Sequence, residues 1–284
     1  MNNKTIIVIL GMHRSGTSAL SGFLHKLGID MGKYYFYIPN SDNPKGNFEN
    51  REFMKLNQNL LEQTGKNIYW YSLPSYQKIK KISSLLSNKD KIKKLLERHS
   101  KETISNIWGW KDPRTCLFLD LWYEGLKDYK VKYIVIFRHP IFVSQSIINR
   151  EILYNINREI LYKRNYPFDM EYCLKMWKRY NIDILKFLKK YSISPFVIEY
   201  DELFNDLENI YRLLCKNLNI HPSFNEKKIA FEFIEQKLCH FMNKNNYHLS
   251  EDISSIYDQL KFYKKLKFYP PNLYKSLFHR KESF

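Results

Sequence analysis

Six consecutive residues, Thr5 to Leu10, form an apolar run that stops at a glycine, and Ala19, Leu20, Phe23, Leu24 and Leu27 then recur at helical spacing. The first run has the length and unbroken hydrophobicity of a strand buried on both faces; the second has the period of a helix that buries one stripe. The same change of period returns twice. Val131 to Phe137 ends at Arg138-His139-Pro140 and passes to Val143, Ile147 and Ile148. Pro195 to Tyr200 passes through Asp201-Glu202-Leu203 to Ile210, Leu213, Leu214 and Leu218. Strands alternating with helices predict an α/β fold with three layers, a parallel sheet covered by helices on both faces. Ligands of such sheets bind outside the carboxyl ends of the strands, where Gly11 to Thr17, Trp110 to Arg114, Arg138 and Tyr200 fall.

Between these units the pattern loosens. Asp42 to Asn50 is rich in turn residues and gives way to a helical stripe through Leu56, Leu60 and Leu61, which sets Glu49 at a loop-to-helix junction. Lys80 to Lys101 holds eight Lys or Arg and two acids among leucines and isoleucines. This basic amphipathic stretch reads either as a cap over a cleft or as a solvated helix face. Trp108 to Arg114 is a knot of polar and aromatic residues, read as a loop before a helix that Pro113 starts. The chain as a whole, 1–284, reads as a single domain with a basic helical insertion at about 75–106 and a basic aromatic tail at about 261–284. That tail has seven Lys or Arg and one acid, interleaved with Phe262, Tyr263, Phe268 and Tyr269. It suits stacking on sugars, nucleic acid or lipid headgroups, and equally a terminal helix packed on the core.

Charge narrows the partners. A formal net charge of +17 directs the chain toward anions: a nucleotide, an acidic glycan, nucleic acid or a negatively charged membrane. Cys116, Cys173, Cys215 and Cys239 show neither C-x-x-C pairing nor a matching histidine cluster, so reduced thiols are expected and no metal site. The first apolar run is too short for a signal peptide and no later run approaches the ~18 to 20 residues of a membrane span. The expected location is the cytoplasm, with peripheral contact at the inner, anionic membrane face as a further expectation.

The first strand runs into Gly11-Met12-His13-Arg14-Ser15-Gly16-Thr17-Ser18. Its glycines keep the spacing of a nucleoside triphosphatase phosphate loop, but Thr17 stands where such a loop carries lysine. An anion can still sit among backbone amides at a helix N-terminus, with the cation moved forward to Arg14. Such a loop suits a phosphosulfate better than a magnesium triphosphate.

Three separated segments together resemble the PAPS-dependent sulfotransferases of the bacterial carbohydrate-modifying type. Gly11 to Ser18 resembles that family's 5′-phosphosulfate loop; Arg138-His139-Pro140 with Ser146 resembles its 3′-phosphate motif; Val197 to Leu203 resembles its V-x-x-Y-E-D-L segment. The resemblance spans about residues 4 to 220 and implies the P-loop-like sulfotransferase fold, PAPS as donor with 3′,5′-ADP as product, and a carbohydrate or glycolipid hydroxyl as acceptor. It implies donor contacts from Gly11, His13, Arg14, Ser15, Gly16, Thr17, Ser18, Arg138 and Ser146, with Tyr200 at the adenine. It also implies that Asn43-Pro44-Lys45-Gly46 and Trp110 to Arg114 line the acceptor side, through Lys45, Lys111 and Arg114. Arg14, always protonated, is expected to clamp charge rather than donate a proton. Glu49 is the first candidate for the base, with Asp112 and His13 as rivals. The R-K-G-x-x-G ending of cytosolic small-molecule sulfotransferases is missing, since Glu282 and Ser283 follow Arg280-Lys281.

Two other classes fit less of the sequence. A kinase-like phosphotransferase needs the loop lysine and a magnesium-binding acid. A non-catalytic polyanion binder, of nucleic acid for instance, explains the charge but leaves the three ordered motifs unused, so no nucleic-acid partner is expected.

Overall fold

The computed structural model describes residues 4–32, 35–36, 45–65, 69–156, 168–234 and 248–266, with 35–36 and 152–156 described by backbone alone. In chain order the elements begin with β1 (Thr5–Leu10), α1 (Thr17–Lys26), β2 (Tyr35–Phe36), β3 (Glu49–Asn50) and α2 (Arg51–Glu62). Next come α3 (Tyr76–Ser84), α4 (Leu86–Glu102), β4 (Ile107–Lys111), a 3-10 turn at Pro113–Leu117, α5 (Leu119–Leu126), β5 (Lys130–Phe137) and α6 (Pro140–Ile156). The chain continues through α7 (Met170–Lys190), β6 (Phe196–Glu199), α8 (Glu202–Asn205), α9 (Leu207–Leu218), α10 (Phe224–Phe233) and α11 (Glu251–Leu266).

Four parallel strands form one sheet in the order β4-β1-β5-β6, and β2 pairs with β3 as a small antiparallel ribbon. β1 is central and wholly buried, as its unbroken apolar run requires. Its side chains alternate between two cores. Ile6, Val8 and Leu10 join α2, α4, α5, α6, α7 and α11 on one face; Ile7 and Ile9 join α1, α9 and α10 on the other. The expected three-layer α/β arrangement is therefore present. After β1 the chain adds β4 on one side and then β5 on the other, so the connections diverge at the carboxyl end of β1, the place where open α/β sheets form a crevice.

Two expectations change. Trp108 to Lys111, read as loop, belongs to strand β4, whose residues Thr5↔Ile107 to Ile9↔Lys111 pair in register with β1. Only from Asp112 does the backbone leave the sheet, with the Asp112 carboxylate accepting from Arg114 N–H at the start of the 3-10 turn. The basic stretch at 75–106 forms α3 and α4, and α4 buries Ile92, Leu95 and Leu96 against α2 and α5. Its apolar stripe is consumed in the helical layer while its lysines face water, which is the solvated-face reading. Of the tail, residues 261–266 continue α11; 267–284, like Cys239, Asn43 and Pro44, lie outside the described residues.

Candidate active site

The loop after β1 is shaped by two residues with positive φ, Arg14 at 65° and Gly16 at 90°. A Cβ on Gly11 would run into the Ile136 carbonyl oxygen of β5, and one on Gly16 would enter the ring of Tyr200. Only glycine allows the loop to lie this close to its neighbours. Gly16 caps α1 without a side-chain hydrogen bond, and the first turn of α1 holds no acid. The amides there face the crevice end of the sheet with the positive end of the helix dipole, a setting for an anion. Ser15 and Thr17 are buried in the turn, and Ser18 opens toward β4.

Side chains from the neighbouring strands and helices converge on this loop. Arg14 Nε donates to Ser146 Oγ at 3.0 Å, tying the loop to α6. From the end of β4, Lys111 Nζ donates to Ser18 Oγ at 3.1 Å and to Glu49 Oε1 at 2.8 Å. Lys111 is only 1% exposed, so a buried ammonium stands beside a loop that itself lacks the usual lysine. Glu49 Oε2 lies 3.9 Å from Arg114 Nη2, and so this carboxylate meets cations on both oxygens. Glu49 does not serve as the helix cap; Asn50 does, accepting from Glu52 N–H.

Arg138 sits just past β5 with its guanidinium 4.3 Å from the centre of the Tyr200 ring and 5.8 Å from that of Phe142. Its backbone carbonyl accepts from Trp177 Nε1 at 3.0 Å. Tyr200 is fixed by its own N–H, which donates to the Phe137 carbonyl at 2.8 Å. The Tyr200 ring therefore neighbours both the loop backbone at Gly16 and the Arg138 guanidinium.

Asp112 is 0% exposed and its carboxylate is fully engaged. Oδ1 accepts from Arg114 N–H and Nε, and Oδ2 from Asn57 Nδ2. Burial raises the Asp112 carboxyl from its ordinary value, against the opposing pull of Arg114. Enclosed and bonded in this way, Asp112 supports the Arg114 guanidinium. Arg114 in turn donates Nη1 to Gln58 Oε1 at 2.9 Å. Asn57 is locked by Trp122, whose Nε1 donates to its Oδ1 at 2.8 Å.

The His13 ring lies 4.8 Å from the Trp70 ring and 5.9 Å from that of Tyr180. Nε2 is enclosed without a hydrogen-bond partner among the described residues. Burial holds its pKa well below the ordinary 6.5, helped by Arg114, Arg150, Lys111 and Arg14. His13 is accordingly neutral at physiological pH. Lys45 stands apart: its ammonium donates to the Phe233 carbonyl and lies over the Phe233 ring at 4.8 Å, at the end of α10.

Asn57, Gln58, Trp70, Arg150 and Tyr180 were not read from the sequence. Arg150 follows Ser146 by four residues on α6 and stacks on Trp70 at 5.2 Å. That spacing was a usable signal; Trp70, in an unpatterned segment, gave none.

No protein-family model matches the chain, and no curated protein matches it. Solved structures do. A sulfotransferase domain from the curacin biosynthetic pathway is 16% identical, with a TM-score of 0.50 over 91% of this chain and 98% of its own. Sulfotransferase STF9 from Mycobacterium avium is 13% identical, with a TM-score of 0.53 over 94% of this chain and 77% of its own. Likeness at these identities establishes the fold: an α/β, P-loop-like fold shared with sulfotransferase structures.

Proposed function

We propose that the chain is a sulfotransferase that uses PAPS as donor and passes its sulfuryl group to a hydroxyl of a carbohydrate-type acceptor, releasing 3′,5′-ADP. The observation that carries this reading is the phosphate loop in which Arg14 and the imported Lys111 supply the positive charge, while Thr17 occupies the lysine position of a triphosphatase. The glycine cradle, the open first turn of α1 and the Arg138–Tyr200 stack suit a donor with a phosphate at each end of its nucleoside. Bound there, PAPS supplies an activated sulfuryl group. Gly11, Ser15, Gly16, Thr17 and Ser18 hold its 5′ end, and Arg138 its 3′ phosphate. No metal is required in this reading, because the fixed cations do the electrostatic work.

Glu49 is the proposed base, taking the acceptor hydroxyl proton. Lys111 orients it and, with Arg14, stabilises negative charge that builds on the departing oxygen. Neutral His13 is the second candidate, on the strength of its enclosed Nε2. The acceptor class is supported by the half-buried aromatic cluster of Trp70, Tyr71 and Phe168 beside His13, with the Arg150 guanidinium stacked over Trp70. An aromatic cluster that carries a cation suits a polar ring-bearing acceptor.

Calorimetric titration with 3′,5′-ADP, 5′-AMP and ATP, in wild type and Arg138→Ala, tests the donor site. Selective binding of 3′,5′-ADP that the substitution abolishes supports it. Equal affinity for all three, or none, overturns it.

A further inference from the structure

Leu85 ends α3 and begins α4, a one-residue corner with extended backbone at φ −66° and ψ 122°. A helix N-cap ordinarily holds Ser, Thr, Asp or Asn, whose side chain satisfies a free N–H of the first turn. Leucine offers no such bond, and none is made here. The next residue, also leucine, is 74% exposed and Leu85 is 40% exposed, although buried positions such as Ile82 and Ile92 lie within a few residues. The corner therefore gives up a cap and leaves two aliphatic side chains in water.

Lysines surround it. Residues 75–94 contain seven lysines and a single acid, Asp90. Lys78 and Lys81, three residues apart, share one face of α3 just before the corner; Leu86, Lys89 and Lys93 recur at i, i+3 and i+7 along α4. Lys78, Lys80, Lys81, Lys89 and Lys91 are all exposed, and none forms an ion pair with an acid among the described residues. Elsewhere on this surface exposed lysines do find acids, as Lys127 finds Glu124 and Lys190 finds Asp120. Unneutralised ammonium groups around an aliphatic tip match a bilayer surface with anionic headgroups above hydrocarbon. A soluble polyanion matches only the lysines.

We infer that the α3–α4 corner docks the protein on an anionic lipid surface, with Leu85 and Leu86 entering the headgroup boundary and the flanking lysines engaging the phosphates. This surface is separate from the crevice at the strand ends, so its use does not depend on the sulfotransferase reading. Both arms of the interaction are needed. One aliphatic pair is too small an anchor alone, and charge alone is screened by salt within about a Debye length, roughly 10 Å at 0.1 M.

Co-sedimentation of the full chain with vesicles tests it, using phosphatidylcholine alone and phosphatidylcholine containing about 30% phosphatidylglycerol. Binding confined to the anionic vesicles, weakened about tenfold or more both in Leu85→Ser/Leu86→Ser and in Lys81→Glu/Lys89→Glu, supports the proposal. Thermal melting checks that each variant folds; both pairs are exposed. Absence of binding to anionic vesicles overturns it, as does unchanged binding of either variant. If only the lysine variant loses binding, and it loses affinity for a single-stranded oligonucleotide in parallel, the surface is a polyanion site and the lipid proposal fails.

Discussion

At Lys111, burial and charge meet in a single side chain. An ammonium 1% exposed is tolerated because Glu49 and Ser18 accept its protons. Breaking a buried pair typically costs about 3 to 5 kcal/mol, and Arg114, 3.9 Å from the other Glu49 oxygen, places the cost here toward the low end. Lys111→Met is thus expected to lower both the melting temperature and turnover. Glu49→Gln keeps a hydrogen-bond acceptor for Lys111 and separates the two roles. It is expected to retain 3′,5′-ADP affinity while kcat with PAPS and acceptor falls about 10²- to 10⁴-fold. A full loss in His13→Ala with Glu49→Gln near wild type would transfer the base to the histidine.

The buried histidines give a second expectation. Burial lowers the pKa of His13, His25 and His99 from the ordinary 6.5. Below pH 6.5 the unfolded chain binds protons that the folded chain refuses, so stability falls as the pH drops through that region, before the carboxylates titrate. His99 packs on Trp108 at 4.6 Å and on Phe53 at 5.6 Å, with both ring nitrogens lacking partners among the described residues. His99→Phe is expected to reduce the loss of melting temperature between pH 7.5 and 5.5 and to leave the pH 7.5 value equal or higher. A steeper loss in the variant would refute the assignment.

Among the elements, the legible ones carried their signal locally. β1, β5 and β6 are aliphatic runs that pass directly into turn residues, and the glycine loop, Arg138 and Tyr200 sit at those boundaries. β4 escaped because its Ile-Trp-Gly-Trp-Lys mimics a loop. Trp108 and Trp110 fill one core with Phe53 and Trp122, while the bare face of Gly109 admits the Ile7 backbone of β1. Its identity as a strand therefore resides in its neighbours. The same holds for the site. Glu49 and Lys111 are 62 residues apart in sequence, and the packing of β3 beside the end of β4 brings them together. Gln58 and Asn57 look like ordinary polar positions of α2 until the buried Asp112–Arg114 pair gives them a purpose.

α11 gives an element-scale expectation. Tyr257 and Lys264 both donate to Glu199 at the end of β6, each at 2.5 Å. Burial alone would raise the Glu199 carboxyl, but these two bonds overcome it and hold the pKa below its ordinary 4.5. Their stabilisation is present above pH 4.5 and lost as the pH falls through the lower folded value. Lys264→Met is expected to lower the melting temperature at pH 7 by a few degrees and to narrow its gap from wild type at pH 3 to 4; a gap that widens in acid would refute this.

Across the whole molecule, +17 of formal charge makes every anion contact sensitive to salt. A ligand that binds only the folded chain adds about 2.7 kcal/mol at a hundredfold excess over Kd, which for a chain of this size is about 4 to 5 °C in Tm. 3′,5′-ADP is expected to produce that rise, and added salt to diminish it. Among the described residues no helix is long and apolar enough to cross a membrane.

The Tyr200 ring has one more consequence. In contact with the Gly16 backbone and with Arg138 over its ring, it ties the position of the guanidinium to that of the loop. In the proposed donor site such a tie would work as a caliper, measuring a nucleotide by the distance between its two phosphates. Wild type should then reject 2′,5′-ADP, whereas Tyr200→Ala, its jaws unset, should lose the ability to tell the isomers apart.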